Sequence, residues 1–174
     1  MSKVNTGAWE QALEKQCTGG WTKGAKAYVC SPLSADNREQ LHANIRTARA
    51  YMFLANRDLG YAARAPHAYL PLLLNDSVPV ERALAIDFGL RLLEQSEILL
   101  VCGSRISCGM EGEIRHAAKL KMKILAFDKT VHLGARRIVA DCGGDKYLVR
   151  LDDRYPQFVR EYPDGITPDS GEVA

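Results

Sequence analysis

The chain has 174 residues, of which 23 are basic and 21 acidic, and its formal net charge is +2. This length suits one domain with a sizeable core, and the balanced charge gives no reason to expect a nucleic-acid polymer as a partner. No apolar run approaches membrane-spanning length, and the start of the sequence lacks the apolar core of a signal peptide. The sequence therefore predicts a cytoplasmic protein with no membrane partner.

The five cysteines are odd in number and form no CxxC pair. The histidines at positions 42, 116 and 132 are scattered and lack the spacing of metal ligands. We therefore expect reduced, partly buried thiols and no metal site.

The first predicted elements are an arm, a strand and a long helix. Residues 1–25 form the N-terminal arm, where glycines interrupt a short helical pattern. Residues 27–30 predict the first strand, and Asp36 is expected to cap the helix that follows and ends near Gly60. Residues 61–65 predict the second strand, which Pro66 and His67 terminate.

The middle of the chain predicts a second helix and a strand–loop–helix–strand unit. The helix over residues 80–95 is mostly apolar, and Asp87 lies among its apolar residues. Residues 98–102 form a continuous apolar run, which is typical of a strand buried on both faces. A glycine-containing loop then leads into a helix that begins with Glu111 and Glu113. Their negative charge is the sign that the helix dipole favours at a helix N-terminus. Residues 124–127 predict the fourth strand.

The last part of the chain predicts one more helix and one more strand. Residues 128–133 are expected to form a loop, residues 134–142 a helix and residues 146–151 the fifth strand. The domain therefore spans residues 26–151. Residues 152–174 form a C-terminal tail, and we expect disorder in it from residue 164 onward.

Strands that alternate with helices indicate an α/β fold. We predict a flavodoxin-like, doubly wound, five-stranded parallel sheet with strand order 2-1-3-4-5 and helices on both faces. Ligands bind such sheets at the carboxyl edge, where the loops after the first and third strands diverge. We therefore expect one pocket there, lined by Ser31, His67, Ser107 and Glu113.

Each of these residues also has a purely structural interpretation. Glu113 can serve as an acidic residue near a helix N-terminus, as we favour for Glu111. Ser107 and its neighbours can form a tight turn, and His67 can cap the second strand by a hydrogen bond inside the domain. Asp87 can lie on the solvent face of its helix.

Three segments carry a family resemblance. They are Tyr-Val-Cys-Ser-Pro at 28–32, Ala-Pro-His at 65–67 and Ile-Ser-Cys-Gly-Met at 106–110, the last followed by Glu113 and Ala117. Together they resemble the nucleoside 2-deoxyribosyltransferase-like superfamily, and more closely its small uncharacterised phage and bacterial branch. The resemblance covers roughly residues 26–127.

The resemblance implies cleavage or exchange of the N-glycosidic bond of a nucleoside or nucleotide. Glu113 would attack the anomeric carbon, and water or a second base would take the sugar. Asp87 is the expected supporting carboxylate, although relatives often have an aspartate at the head of the next strand, where this chain has Glu97. The residues expected to bind the substrate are Ser31, Pro32, Ser34, His67, Ser107, Gly109 and Met110.

The resemblance further implies that no metal or organic cofactor is needed and that the protein is a homo-oligomer, because superfamily sites are often completed by a neighbouring subunit. One alternative is a non-catalytic protein that senses or sequesters a nucleotide, which the replacement of the aspartate by Glu97 favours. The other is a structural assembly protein that uses its arm and tail as contact elements.

Overall fold

The computed structural model of the chain describes residues 24–166. The arm up to residue 23 and the end of the predicted tail, residues 167–174, lie outside the described residues. Within the described range, no helix is both long and apolar enough to cross a bilayer.

The described residues form an alternating series of strands and helices. The strands are β1 Lys26–Cys30, β2 Ala62–Arg64, β3 Ile98–Val101, β4 Lys123–Ala126 and β5 Val149–Leu151. The helices are α1 Arg38–Arg57, α2 Leu70–Leu73, α3 Pro79–Glu94, α4 Cys108–Lys119 and α5 Lys129–Asp141. Short 3-10 turns lie at Pro66–Ala68, Lys146–Leu148 and Pro156–Phe158.

The five strands form one parallel sheet in the order β2-β1-β3-β4-β5. The predicted flavodoxin-like topology is therefore confirmed. β1 and β3 are neighbours, and Cys30 near the end of β1 is in register with Val101 at the end of β3. Because both strands run in the same direction, the loops that follow them leave the sheet side by side at its carboxyl edge.

Helices cover both faces of the sheet, as predicted. Buried side chains of α3, α4 and α5 pack on one face, and those of α1 pack on the other. Successive residues of a strand point to opposite faces, and β1 is divided in this way. Tyr28 and Cys30 belong to the core beneath α4, whereas Ala27 and Val29 belong to the core beneath α1.

The chain after β5 packs against the domain instead of leaving it as a loose tail. Phe158 is fully buried, and its ring stacks on that of Phe127 with centroids 4.2 Å apart. The hydroxyl of Tyr51 on α1 donates a hydrogen bond to the carbonyl of Arg160 at 2.7 Å. As far as Ile166, the segment predicted as a tail completes the core on the α1 face.

Two helix starts differ from the prediction. Asn37, not Asp36, caps α1, and its Oδ1 accepts a hydrogen bond from the N–H of Gln40 at 2.8 Å. The predicted loop over residues 128–133 is wrong, because α5 already begins at residue 129. There Asp128 accepts hydrogen bonds from two N–H groups of the first turn, which fixes the helix start.

Candidate functional site

Helix α4 carries Glu113, and its start is fixed by Ser107. The Oγ of Ser107 accepts a hydrogen bond from the N–H of Met110, and the Sδ of Met110 accepts one from the N–H of Ser107, each at 3.4 Å. The buried side chains of Met110, Ile114 and Ala117 then lock the helix onto the sheet. In this orientation the side chain of Glu113 points toward β1 and is only 16% exposed.

Two side chains of β1, Tyr28 and Cys30, face the carboxylate of Glu113. The hydroxyl of Tyr28 donates a hydrogen bond to Glu113 Oε1 at 2.6 Å. Burial, and then the charge of Glu113, raise the pKa of Tyr28, so the phenol keeps its proton and acts as the donor. The thiol of Cys30 faces the same carboxylate, and burial followed by Glu113 raises its pKa as well. One oxygen of Glu113 is therefore fixed in place beside a neutral thiol.

His67 lies beside the same carboxylate. The 3-10 turn Pro66–Ala68 after β2 places His67 Nε2 3.7 Å from Glu113 Oε1. The imidazole ring also meets the ring of Tyr28 edge-on, with centroids 6.0 Å apart. The structure therefore brings together His67 and Glu113, which are 46 positions apart in the printed sequence, at the carboxyl edge of the sheet.

Three buried side-chain polar atoms within residues 24–166 have no hydrogen-bond partner: Ser31 Oγ, His67 Nε2 and Glu113 Oε2. Leaving such an atom unpaired costs about 1–3 kcal/mol, and folded proteins rarely tolerate it. All three residues were predicted from the sequence to meet at this edge. Each of these atoms belongs to a residue that follows a strand end or lies on the helix that follows one, and the carboxyl edge is where sheets of this type bind ligands.

The loops after β1 and β3 touch each other next to this cluster. Gly103, in the turn after β3, has a φ of +94°, and a Cβ built on it would lie 3.2 Å from Cδ of Pro32. The N–H of Gly103 donates a hydrogen bond to the carbonyl of Phe158 at 2.8 Å, which anchors the turn. Glycine is required here because the backbone is left-handed and the β1 loop is close.

We predict that Gly103→Ala lowers the free energy of unfolding by about 1–3 kcal/mol, because alanine strains a left-handed residue and crowds Pro32. Denaturant unfolding followed by circular dichroism measures the change. Gly112→Ala is the matched control, since no atom lies within 4 Å of a Cβ at this helical position. The control should stabilise α4 by about 0.5–1 kcal/mol. Equal effects of the two substitutions would contradict the assigned role of Gly103.

Asp87 does not lie with these groups. Its side chain is 57% exposed and pairs with Arg91 at 2.8 Å on α3. Gly89 is the residue of α3 that faces the site, since a Cβ there would lie 3.3 Å from the hydroxyl of Tyr28. Two residues correspond to about 200° around a helix, so Asp87 points away from Tyr28. The expectation that Asp87 supports Glu113 is therefore corrected: it lies on the solvent face.

Glu97 lies at the opposite edge of the sheet. Its carboxylate accepts a hydrogen bond from the N–H of Lys26 at 3.1 Å, just ahead of β3. A cavity of about 590 Å³ opens at this amino edge, and Glu97 and Lys123 are among its lining residues. Ser31, His67 and Glu113, which carry the three buried atoms without a hydrogen-bond partner, do not line that cavity. We therefore assign the candidate site to the carboxyl edge.

The other predicted binding residues divide into backbone and surface positions. The side chain of Met110 is buried in the core, which leaves only its backbone near the start of α4. Pro32 is partly buried against Gly103, whereas Ser34 and Gly109 are exposed. The sequence prediction missed Tyr28 and Cys30 as partners of Glu113. Their alternate spacing on β1, which puts both on one face, was the available signal.

Within residues 24–166, no group of three or more histidine, cysteine, aspartate or glutamate side chains is arranged to hold a metal ion.

A family model described as "Domain of unknown function (DUF7768)" matches residues 25–127, which include β1 to β4 and every residue of the candidate site. Searches of curated proteins and of solved structures gave no match.

Proposed function

This chain belongs to the family of the domain of unknown function DUF7768, and we propose that it breaks the N-glycosidic bond of a nucleoside or nucleotide with Glu113 as the nucleophile. The observation that carries the proposal is the hydrogen bonding of the carboxylate of Glu113, whose side chain is partly buried. Tyr28 holds Oε1 of this carboxylate by a hydrogen bond, whereas Oε2 has no hydrogen-bond partner. His67 lies beside the carboxylate, and its Nε2 also has no hydrogen-bond partner. The resemblance to nucleoside 2-deoxyribosyltransferases supports the same assignment.

The chemistry proceeds in two displacements at the anomeric carbon. In the first, Glu113 Oε2 bonds to this carbon as its bond to the base nitrogen breaks, and the nitrogen keeps the electron pair. In the second, a water oxygen or the nitrogen of a second base attacks the same carbon, and the ester bond to Glu113 breaks. The carboxylate is then restored, and its negative charge stabilises both oxocarbenium-like transition states.

In this proposal His67, whose Nε2 lies 3.7 Å from Glu113 Oε1, transfers the protons of both displacements. In its protonated form it gives a proton to the departing base nitrogen, and in its neutral form it accepts one from the attacking water. The unpartnered hydroxyl of Ser31 is available to bind a hydroxyl group of the sugar. In the bound state, the three buried atoms that lack a hydrogen-bond partner, Ser31 Oγ, His67 Nε2 and Glu113 Oε2, would each interact with the substrate.

The first turn of α4 supplies a place for a 5′-phosphate. Backbone N–H groups at a helix N-terminus favour anions, and Gly109 leaves this turn open. Ser107 lies six residues before Glu113, or about 9 Å along the helix axis. A nucleotide bound through its phosphate at this turn would have to span about this distance for its sugar to reach Glu113.

The direct test incubates the full chain with nucleosides and nucleoside 5′-monophosphates and separates free base by chromatography. Release of a base from at least one of them is expected, with or without a second base as acceptor. Thermal shifts measured on the same panel report binding alone. A nucleotide that raises the melting temperature without any base release would replace the enzyme proposal with a nucleotide-binding role.

We predict that Tyr28→Phe slows base release about ten- to hundredfold by lowering kcat, because it removes the hydroxyl that fixes Glu113 without removing the ring. KM should change little, since Tyr28 acts through Glu113. Steady-state kinetics checks this division. Tyr147→Phe is the matched control, because the Tyr147 side chain is 71% exposed, and it should leave kcat unchanged. A raised KM with unchanged kcat for Tyr28→Phe would contradict the positioning role.

A further inference from the structure

Helices α2 and α3 expose an unusual number of large apolar side chains. These are Leu72, Leu73, Val80, Leu84, Ile86 and Phe88, each between 44% and 74% exposed. Helix α3 is apolar around most of its circumference, yet only its residues Gly89 and Leu93 are buried. A helix with this composition is normally covered on all sides.

Three of these side chains form one continuous stripe. Val80, Leu84 and Phe88 are spaced by four residues, so they follow one another along the side of α3 that faces away from the sheet. With Leu72 and Leu73 of α2, they expose an apolar area on the order of 500 Å², within the range of the largest patch on a typical monomer, which is often functional. A standard interface buries about 800 Å² on each partner, and this apolar area is comparable to the apolar centre of such an interface.

We propose that a second copy of this chain covers the stripe, with the two α3 helices packed antiparallel across a twofold axis at Leu84. Such an axis sets Leu84 against Leu84 and the small Val80 against the large Phe88 of the second copy. The stripe is therefore complementary to itself, which a twofold interface requires.

The charges around the stripe fit the same arrangement. The exposed pair Asp87–Arg91 lies beside the C-terminal half of the stripe. With the axis at Leu84, Arg91 is level with position 77 of the second copy, next to Asp76, and opposite charges meet at this end of the stripe. Glu81 is level with Asp87 of the second copy, whose charge is paired with Arg91 on its own helix.

The interface also adjoins the candidate site. Helix α2 follows directly after the 3-10 turn that carries His67. A second copy that packs on α2 and α3 would therefore lie close to this turn. The proposal does not depend on the chemistry assigned to Glu113, and the two can fail separately.

Light scattering coupled to size-exclusion chromatography tests the proposal on the full chain. The wild-type protein should have twice the 19.3 kDa mass of one chain, and Leu84→Glu should have the monomer mass. Leu133→Glu is the matched control, because Leu133 on α5 is 64% exposed and lies outside the stripe. This control should remain dimeric. A monomeric wild-type protein, or a Leu84→Glu variant that stays dimeric, would overturn the proposal.

Cysteine substitution tests the axis without adding a charge. Under mild oxidation Leu84→Cys should form a covalent dimer on a non-reducing gel, since the two residues meet on the axis. Val80→Cys should not, because the antiparallel arrangement separates the two copies of residue 80 by about 12 Å along the helices. The unsubstituted protein runs in parallel because Cys108 is exposed. Cross-linking through Val80→Cys, or none through Leu84→Cys, would rule out this geometry.

Discussion

Replacement of Glu113 by glutamine is expected to lower the rate of base release by at least about a thousandfold, because the amide cannot form the ester to the sugar. The protein should stay folded and keep its affinity for the nucleotide. Glutamine has nearly the same shape and can still accept the hydrogen bond from Tyr28. The rate is measured by chromatography of the free base, and the affinity by calorimetry on the same preparation.

The matched control for this variant is Glu111→Gln. Glu111 lies on the same helix turn, but its carboxylate is 42% exposed and pairs with Arg115 at 2.6 Å. Its substitution should leave the rate of base release within about twofold, since loss of one surface ion pair costs 1 kcal/mol or less. If Glu111→Gln were inactive and Glu113→Gln active, the nucleophile would be misassigned.

Phe158→Ala is expected to lower the free energy of unfolding by about 3–5 kcal/mol, which is the usual cost of truncating a buried phenylalanine. The ring is fully buried between α1 and the sheet and stacks on Phe127. The C-terminal segment therefore acts as part of the core. Chemical denaturation followed by circular dichroism gives the change, and the cooperativity of the transition shows whether the segment detaches alone.

Tyr147→Ala serves as the comparison. This aromatic residue is 71% exposed, so its truncation should change the free energy of unfolding by about 0.5 kcal/mol or less. A Phe158→Ala variant as stable as Tyr147→Ala would mean that the segment after β5 contributes nothing to the core.

The strands could be predicted because the apolar runs are short and clearly bounded, and their order because 2-1-3-4-5 is a common order for small doubly wound sheets. Residues 98–102 cannot be a solvent-facing strand, since no polar residue interrupts them, and a buried parallel strand requires a helical crossover on each side. The approach of His67 to Glu113 followed from that topology. Each lies just after a strand end or on the helix that begins there.

Other features depended on tertiary contacts that the sequence pattern does not encode. Phe158 stands among prolines and charged residues, and only the gap between α1 and β4 explains its burial. The position of Asp87 could not be read from periodicity, because α3 is apolar around most of its surface and its pattern selects no face. The partners of Glu113 could not be predicted either, because they are distant in the sequence. Tyr28 reaches it across 85 positions of sequence.

The most direct measurement is a crystal structure of the wild-type protein with a nucleoside 5′-monophosphate whose base is joined to the sugar by a carbon–carbon bond that the enzyme cannot cleave. We expect the anomeric carbon about 3–3.5 Å from Glu113 Oε2, a separation typical of reacting atoms. His67 Nε2 and Ser31 Oγ should each gain a hydrogen bond to the ligand. A nucleotide bound at the amino edge beside Glu97, or one whose sugar lies away from Glu113 Oε2, would contradict the assignment.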